Sequence, residues 1–144
     1  MAAQRHGVRA VVVMPKTTPS IKIEAVEALG GEVILEGDSY DDANAYAIKL
    51  AAQQDLTIVH PFSDPDVIAG QGTIAVELLE QSSGVPDAVF VPIGGGGLIA
   101  GIGSYIKHHH PEINIIGVEP VGCASMHESF RAGEVVTLDH IGTF

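Results

Sequence analysis

At 144 residues, 46% hydrophobic and 17% charged, the chain has enough apolar material for a core and too little charge for disorder. Lys and Arg number 7 against 18 Asp and Glu, a formal charge of −11, which argues against a nucleic-acid partner bound by phosphate neutralisation. No apolar run approaches membrane-spanning length, MAAQRHGVRA does not read as a secretory leader, and Cys123 is the single cysteine, excluding an intramolecular disulfide or a cysteine-built metal site. A reducing, cytoplasmic setting is expected, or an organellar one if a transit segment lies upstream.

In chain order, RAVVVMP is a β-branched run stopped by proline. TTPSIKIEAVEALGG then predicts a helix, with Thr18 as cap, Pro19 in the first turn and Gly30 and Gly31 at the end. EVILEG reads as a second strand. In DSYDDANAYAIKLAAQQ, Asp38 or Ser39 can cap, Asp41 and Asp42 suit the positive helix end, and Ala43, Ala47, Leu50 and Ala51 recur at helical spacing. LTIVHPF predicts a third strand, and DPDVIAGQGTIAVELLEQ a helix that tolerates Gly70 and Gly72. DAVFVPI, GLIAGIGSYIKHHH and NIIGVEP continue as strand, helix and strand, and ASMHESFRAGE predicts a last helix.

Alternation of continuous apolar strands with helices predicts an α/β fold, a parallel sheet with helices on both faces and right-handed crossovers. AAQRHG looks like the last turn of a longer helix, and LDHIGTF stops without a capping or tail composition. The chain is therefore expected to be an internal fragment.

The junction VFVPIGGGGLIAG carries the clearest chemistry. The first N–H groups of a helix lack intrahelical partners, and the helix dipole adds positive potential there. Glycines remove the side chains that would block an anion and permit positive φ. A tight turn for helix–sheet packing needs only one or two glycines, so the stretch predicts a phosphate cradle. There is no G-x-x-x-x-G-K-[ST], which excludes a P-loop. Gly95, Gly97 and Ala100 do fit G-x-G-x-x-[GA], and Glu119 closes the next strand where a ribose-binding acid would lie. An NAD(P)- or FAD-binding domain therefore stays open on spacing alone.

HPFSDPDVIAGQGTIAVELL, VFVPIGGGGLIAGIGSYIK and INIIGVEP together resemble the pyridoxal-phosphate-dependent threonine dehydratases, which share a fold with serine racemase and the tryptophan synthase β subunit. VRAVVVMPKTTPSIKIEAVEALGGEVIL resembles that family's smaller domain, so the likeness covers essentially the whole chain in order. It implies that residues 1–60 are part of a small substrate-side domain and 61–144 part of the large cofactor domain. It also implies that the amides of Gly94, Gly95, Gly96, Gly97 and Leu98 hold the phosphate of pyridoxal 5′-phosphate. HPFSDPDVIAGQGT leans toward the biosynthetic, isoleucine-pathway branch. The implied parent reaction is deamination of L-threonine to 2-oxobutanoate and ammonia, with a serine racemase or serine dehydratase type as the alternative. A small amino-acid substrate and a homo-oligomeric parent are expected. A non-catalytic module that pairs with an intact subunit is the remaining reading.

The departures bear on activity. The family's Schiff-base lysine lies in a Ser-x-Lys-x-Arg-type segment, which does not occur in these residues. The four lysines, Lys16, Lys22, Lys49 and Lys107, read as solvated surface charge. The SAGNHAQG loop of the family is likewise missing. No catalytic residue is assigned, and the chain alone is expected to be inactive. Some relatives bind a divalent cation through the Glu of VEP and an acid six residues later; here Glu119 is followed at that spacing by Ser125, so no metal is expected.

His108, His109 and His110 point about 100° apart on a helix and cannot converge on one ion. They suit the helix C-terminus instead. Asp41 and Asp42 are ordinary first-turn acids. His60 follows a strand and could face a site at the carboxyl edge of the sheet, although a structural hydrogen bond is the commoner role. Cys123 has no neighbouring cation to make it a thiolate.

Overall fold

Two short β-branched runs pair in parallel near the start of the chain. β1 (Val11–Met14) lies beside β2 (Glu32–Leu35), with Val12 opposite Val33 and Val13 opposite Ile34. The computed structural model describes residues 1–138 and Gly142. Residues 139–141, 143 and 144, to which most of the severed-end reading of LDHIGTF applied, lie outside the described residues. The chain divides into two units, Met1–Ile58 and Val59–Phe144.

The first unit opens with α1 (Ala2–His6), closed by Gly7 in the left-handed region at φ 62°. α2 (Ser20–Ala28) connects β1 to β2 and packs on β2. Thr18 does not cap it: Pro19 occupies the cap position with extended ψ, and its carbonyl accepts from Lys22. Proline's fixed φ pre-sets the entry, and the missing side-chain oxygen is not replaced. The expected stop holds, since Gly30 at φ 75° and Gly31 bond back to Glu27 and Val26.

α3 (Tyr40–Gln54) packs on β1 and buries Ala43, Leu50 and Ala51. Of the two candidate caps it uses Ser39. The hydroxyl accepts from the Asp42 N–H, while the Asp42 carboxylate accepts from the Ser39 N–H at 3.1 Å. That reciprocal pair is a capping box with Asp in place of the usual Glu.

The second unit contains α4 (Pro65–Gln81), β3 (Ala88–Pro92), α5 (Gly97–His109), β4 (Asn114–Val118) and α6 (Ser125–Ala132), with a 3-10 turn at Val121–Cys123. Asp64 caps α4 through its side chain, and Pro65 fills the first helical position. β3 and β4 run parallel, with Val89 opposite Ile115 and Val91 opposite Gly117. The core of this unit joins Ala75, Val89, Val91, Ile102, Ile106 and Ile113, with Leu98, Ile99 and Ile115 packed around them.

α4 and α5 meet through glycine. A Cβ on Gly101 would overlap the Ile68 carbonyl and stand 2.7 Å from the Gly72 nitrogen. A Cβ on Gly72 would stand 3.3 Å from the Gly101 carbonyl, so the glycine that interrupts α4 lies at the helix crossing.

One expected strand is absent. LTIVHPF forms no strand, and among the described residues the strands form two separate parallel pairs, β1–β2 and β3–β4. Among the described residues, 56–60 pair with no strand, and at the end of this run His60 holds a turn. The β3–β4 pair is unevenly buried. Phe90, Ile116 and Val118 remain exposed while Val89 and Val91 are buried. Among the described residues no helix is long and apolar enough to cross a membrane.

Candidate functional site

The site grows out of the end of β3. Ile93 still belongs to the ladder, its N–H donating to the Val118 carbonyl at 2.9 Å. The chain then leaves the sheet through Gly94, Gly95 and Gly96 and enters α5 at Gly97. Pairing resumes at Ala100, whose N–H reaches the Gly96 carbonyl at 3.0 Å. Among the described residues, none of the N–H groups of Gly94, Gly95, Gly96, Gly97 and Leu98 donates to a protein acceptor, and no side chain caps α5.

Each glycine has its own reason. A Cβ on Gly95 would run into the Phe62 ring. One on Gly97 would stand 2.7 Å from the Phe62 carbonyl oxygen. Gly96 takes φ 88°, the left-handed conformation that turns the chain into the helix. Gly94 meets nothing within 4 Å, so packing does not demand glycine there. Two positions are explained by close approach and one by a turn. The fourth is bare toward solvent.

These residues line an open concavity of about 390 Å³ together with Pro61, Phe62, Gln71, Pro92 and Ile93. Its floor is backbone, its wall is the Phe62 ring, and its electrostatic attraction for an anion is the N-terminal field of α5. A phosphate ester fits this cradle. Among the described residues the donors have no protein acceptor, Gly94 carries no side chain that would crowd an anion, and the concavity is open.

His60 serves the turn that presents Phe62. Its Nδ1 accepts from the Phe62 N–H at 3.2 Å and the Ser63 N–H at 2.8 Å, and its ring sits edge-on to Phe62 at 4.7 Å. Those contacts require the Nε2–H tautomer. It is a structural imidazole one step behind the site.

Glu119 is not free for a ribose. Its Oε1 accepts from Met126 N–H at 3.0 Å and its Oε2 from His127 N–H at 2.8 Å, capping α6 from outside. The dinucleotide reading of Gly95, Gly97 and Glu119 thereby loses its acid. Ser125 opens α6, and its carbonyl accepts from the Ser129 hydroxyl. Among the described residues no three His, Cys, Asp or Glu side chains gather as a metal site.

The remaining candidates are scattered. Lys16, Lys22 and Lys49 are exposed. The Lys107 ammonium donates to the carbonyls of Pro111 (2.9 Å) and Ile113 (2.6 Å), closing the loop after α5. His108 and His109 stack edge-on, and His110 pairs with Glu112. Asp42 is engaged in the capping box, and Cys123 is half-buried in the 3-10 turn. Phe62 and Met126, the side chains that press on the loop, were invisible as site residues. Nothing in a sequence marks an aromatic before a helix cap, or a methionine beyond the next strand, as a neighbour of glycine.

The sequence profile of pyridoxal-phosphate dependent enzymes matches residues 1–144. The chain belongs to the pyridoxal-phosphate-dependent enzyme family. Among its relatives, L-threonine dehydratase biosynthetic IlvA of Burkholderia multivorans is 53% identical over 99% of the chain, and threonine dehydratase biosynthetic, chloroplastic, of Arabidopsis thaliana is 53% identical over all of it. The chain spans 29% and 24% of those two proteins. Processed threonine deaminase isoform 2 from Solanum lycopersicum superposes with a TM-score of 0.91 at 49% identity, over 99% of this chain and 41% of that one. Maize serine racemase gives the same TM-score at 34% identity, over 98% of this chain and 43% of that one. The family's α/β fold accounts for the parallel strands and intervening helices of both units.

Proposed function

We propose that this chain supplies the phosphate-holding part of a threonine dehydratase, an enzyme that deaminates L-threonine to 2-oxobutanoate and ammonia. In this reading the first unit is part of the small substrate-side domain and the second part of the large cofactor domain. The observation that carries it is the row of amides at Gly94, Gly95, Gly96, Gly97 and Leu98, which have no protein acceptor among the described residues and belong to residues that line the concavity at the start of α5. The higher identity to threonine deaminase than to serine racemase, 49% against 34%, favours threonine over the racemase alternative.

Pyridoxal phosphate, when bound, supplies an electron sink for the carbon from which a proton is withdrawn. The protein's own contribution here is binding and orientation. The five amides fix the phosphate, α5 contributes its N-terminal field, and the Phe62 ring limits where the rest of the ester can lie. His60 holds the turn that carries Phe62. None of the four lysines lines the concavity, so no residue of this chain is assigned to anchor the cofactor or move the substrate proton.

The test uses two polypeptides, these 144 residues alone and a longer form that also carries a Ser-x-Lys-x-Arg segment. With pyridoxal phosphate and L-threonine, the longer form produces 2-oxobutanoate and the shorter one does not. Turnover by the 144 residues would contradict the division of labour. A longer form that leaves threonine untouched would contradict the substrate.

A further inference from the structure

We infer that Glu119 is a positioning residue for the glycine loop, acting through the start of α6 and the side chain of Met126. The inference rests on residues 94–98 being the phosphate cradle, and adds the device that holds their shape.

The N-terminus of α6 has no cap of its own. Ala124 stands at the cap position and has no side-chain acceptor. Glu119, just beyond β4, fills the need from a distance, one oxygen to each of two consecutive amides, Met126 and His127. A carboxylate at that end also suits the helix dipole. The helix is thereby tied to the end of the strand at its first turn.

Met126 carries the first of those ties. Its terminal methyl lies 3.1 Å from where a Cβ on Gly96 would stand. Gly96 is the residue whose left-handed backbone turns the loop into α5, and whose carbonyl begins the helix by accepting from Ala100. A line of contact therefore runs from β4 through Glu119, the two α6 amides and Met126 to the pivot of the loop. From the other side, the ladder bond between Ile93 and Val118 fixes where the loop leaves the sheet. Phe62 presses on Gly95 and Gly97.

A glycine-rich loop needs such walls. It has the most backbone freedom to lose, and ordering it before the anion arrives strengthens binding. The carboxylate whose spacing suggested a ribose acid serves shape instead, and its charge faces a helix end.

The experiment measures the Kd of inorganic phosphate and of pyridoxal 5′-phosphate for the 144-residue chain and for Glu119→Ala, Met126→Ala and the double variant. Urea midpoints and amide exchange at Met126 and His127 are followed alongside. Each single variant is expected to weaken phosphate binding about fivefold, the scale of a lost helix cap. Glu119→Ala also speeds exchange at the two amides. The double variant is expected to be no weaker than the singles, because both act on one line of contact. Lys107→Met, which loosens the same unit away from the loop, is expected to leave Kd unchanged. Should the alanine variants fail to fold, Glu119→Gln and Met126→Leu are compared in the same way, with a smaller loss expected for each.

Unchanged Kd in either variant, or losses that multiply in the double, overturns this inference and leaves the cradle standing. An equal loss in Lys107→Met also overturns it, by making the effect one of general stability. A parent chain that binds neither phosphate nor the cofactor overturns the cradle, and this inference with it.

Discussion

The ring of Phe62 occupies the space that a Cβ on Gly95 would need, so an aromatic just before α4 determines which residue can follow β3. Gly95→Ala is expected to overpack this contact and cost about 1–3 kcal/mol in urea unfolding, with part regained when Phe62 is also cut to alanine. Gly94→Ala is expected to change stability by less than about 0.5 kcal/mol, because no atom stands within 4 Å of the added methyl. It is nonetheless expected to weaken phosphate binding. A stability loss at Gly94 equal to that at Gly95 would mean that the loop is a packing device only.

At the α4–α5 crossing the order of tolerance is set by backbone. Gly101→Ala drives its methyl into the Ile68 carbonyl and the Gly72 nitrogen, neither of which can swing aside. A loss of about 3 kcal/mol or failure to fold is expected. Gly72→Ala meets the Gly101 carbonyl at 3.3 Å and is expected to cost less. Chemical denaturation of the two variants checks the ranking.

The pH response of the first unit follows from its capping box. The Ser39 hydroxyl, then the N–H groups of Asp38 and Ser39, hold the Asp42 carboxyl below its ordinary value of 3.8. With the folded value under the unfolded one, the ionised group stabilises the fold fully above pH 3.8 and loses that effect as pH falls through the folded value. Fraying of α3 is expected below that pH, seen as lost helical ellipticity, and Asp42→Asn is expected to flatten the profile. A profile unchanged by Asp42→Asn would assign the acid response elsewhere.

Lys107 is expected to matter for stability and not for chemistry. Its ammonium holds the Pro111 and Ile113 carbonyls while the chain turns from α5 into β4. Lys107→Met is expected to cost about 1 kcal/mol in urea unfolding, a value discounted because the group is exposed. A far larger cost would give it a wider part in the fold than closing this loop.

What the sequence disclosed followed local physics. Proline and glycine marked the ends of α2, Ser39 was one of two caps offered for α3, and the glycines before α5 marked the strand-to-helix junction at which a phosphate cradle is proposed. LTIVHPF misled because β-branched residues fit a pleated, half-buried surface, and whether they become a strand depends on a neighbour that local composition does not reveal. Glu119 misled for a similar reason. Spacing after a glycine motif suggested a ribose acid, whereas the acceptor's partners come from α6, seven and eight residues further on. Phe62 and Met126 reach the loop through tertiary packing, which no periodicity encodes.

The most direct measurement is a ¹H–¹⁵N amide titration of the 144-residue chain with pyridoxal 5′-phosphate, inorganic phosphate and pyridoxal. Saturating shifts at Gly94, Gly95, Gly96, Gly97 and Leu98 with the two phosphates, and none with pyridoxal, are the predicted result. Silent glycine amides, or equal shifts with pyridoxal, would contradict it.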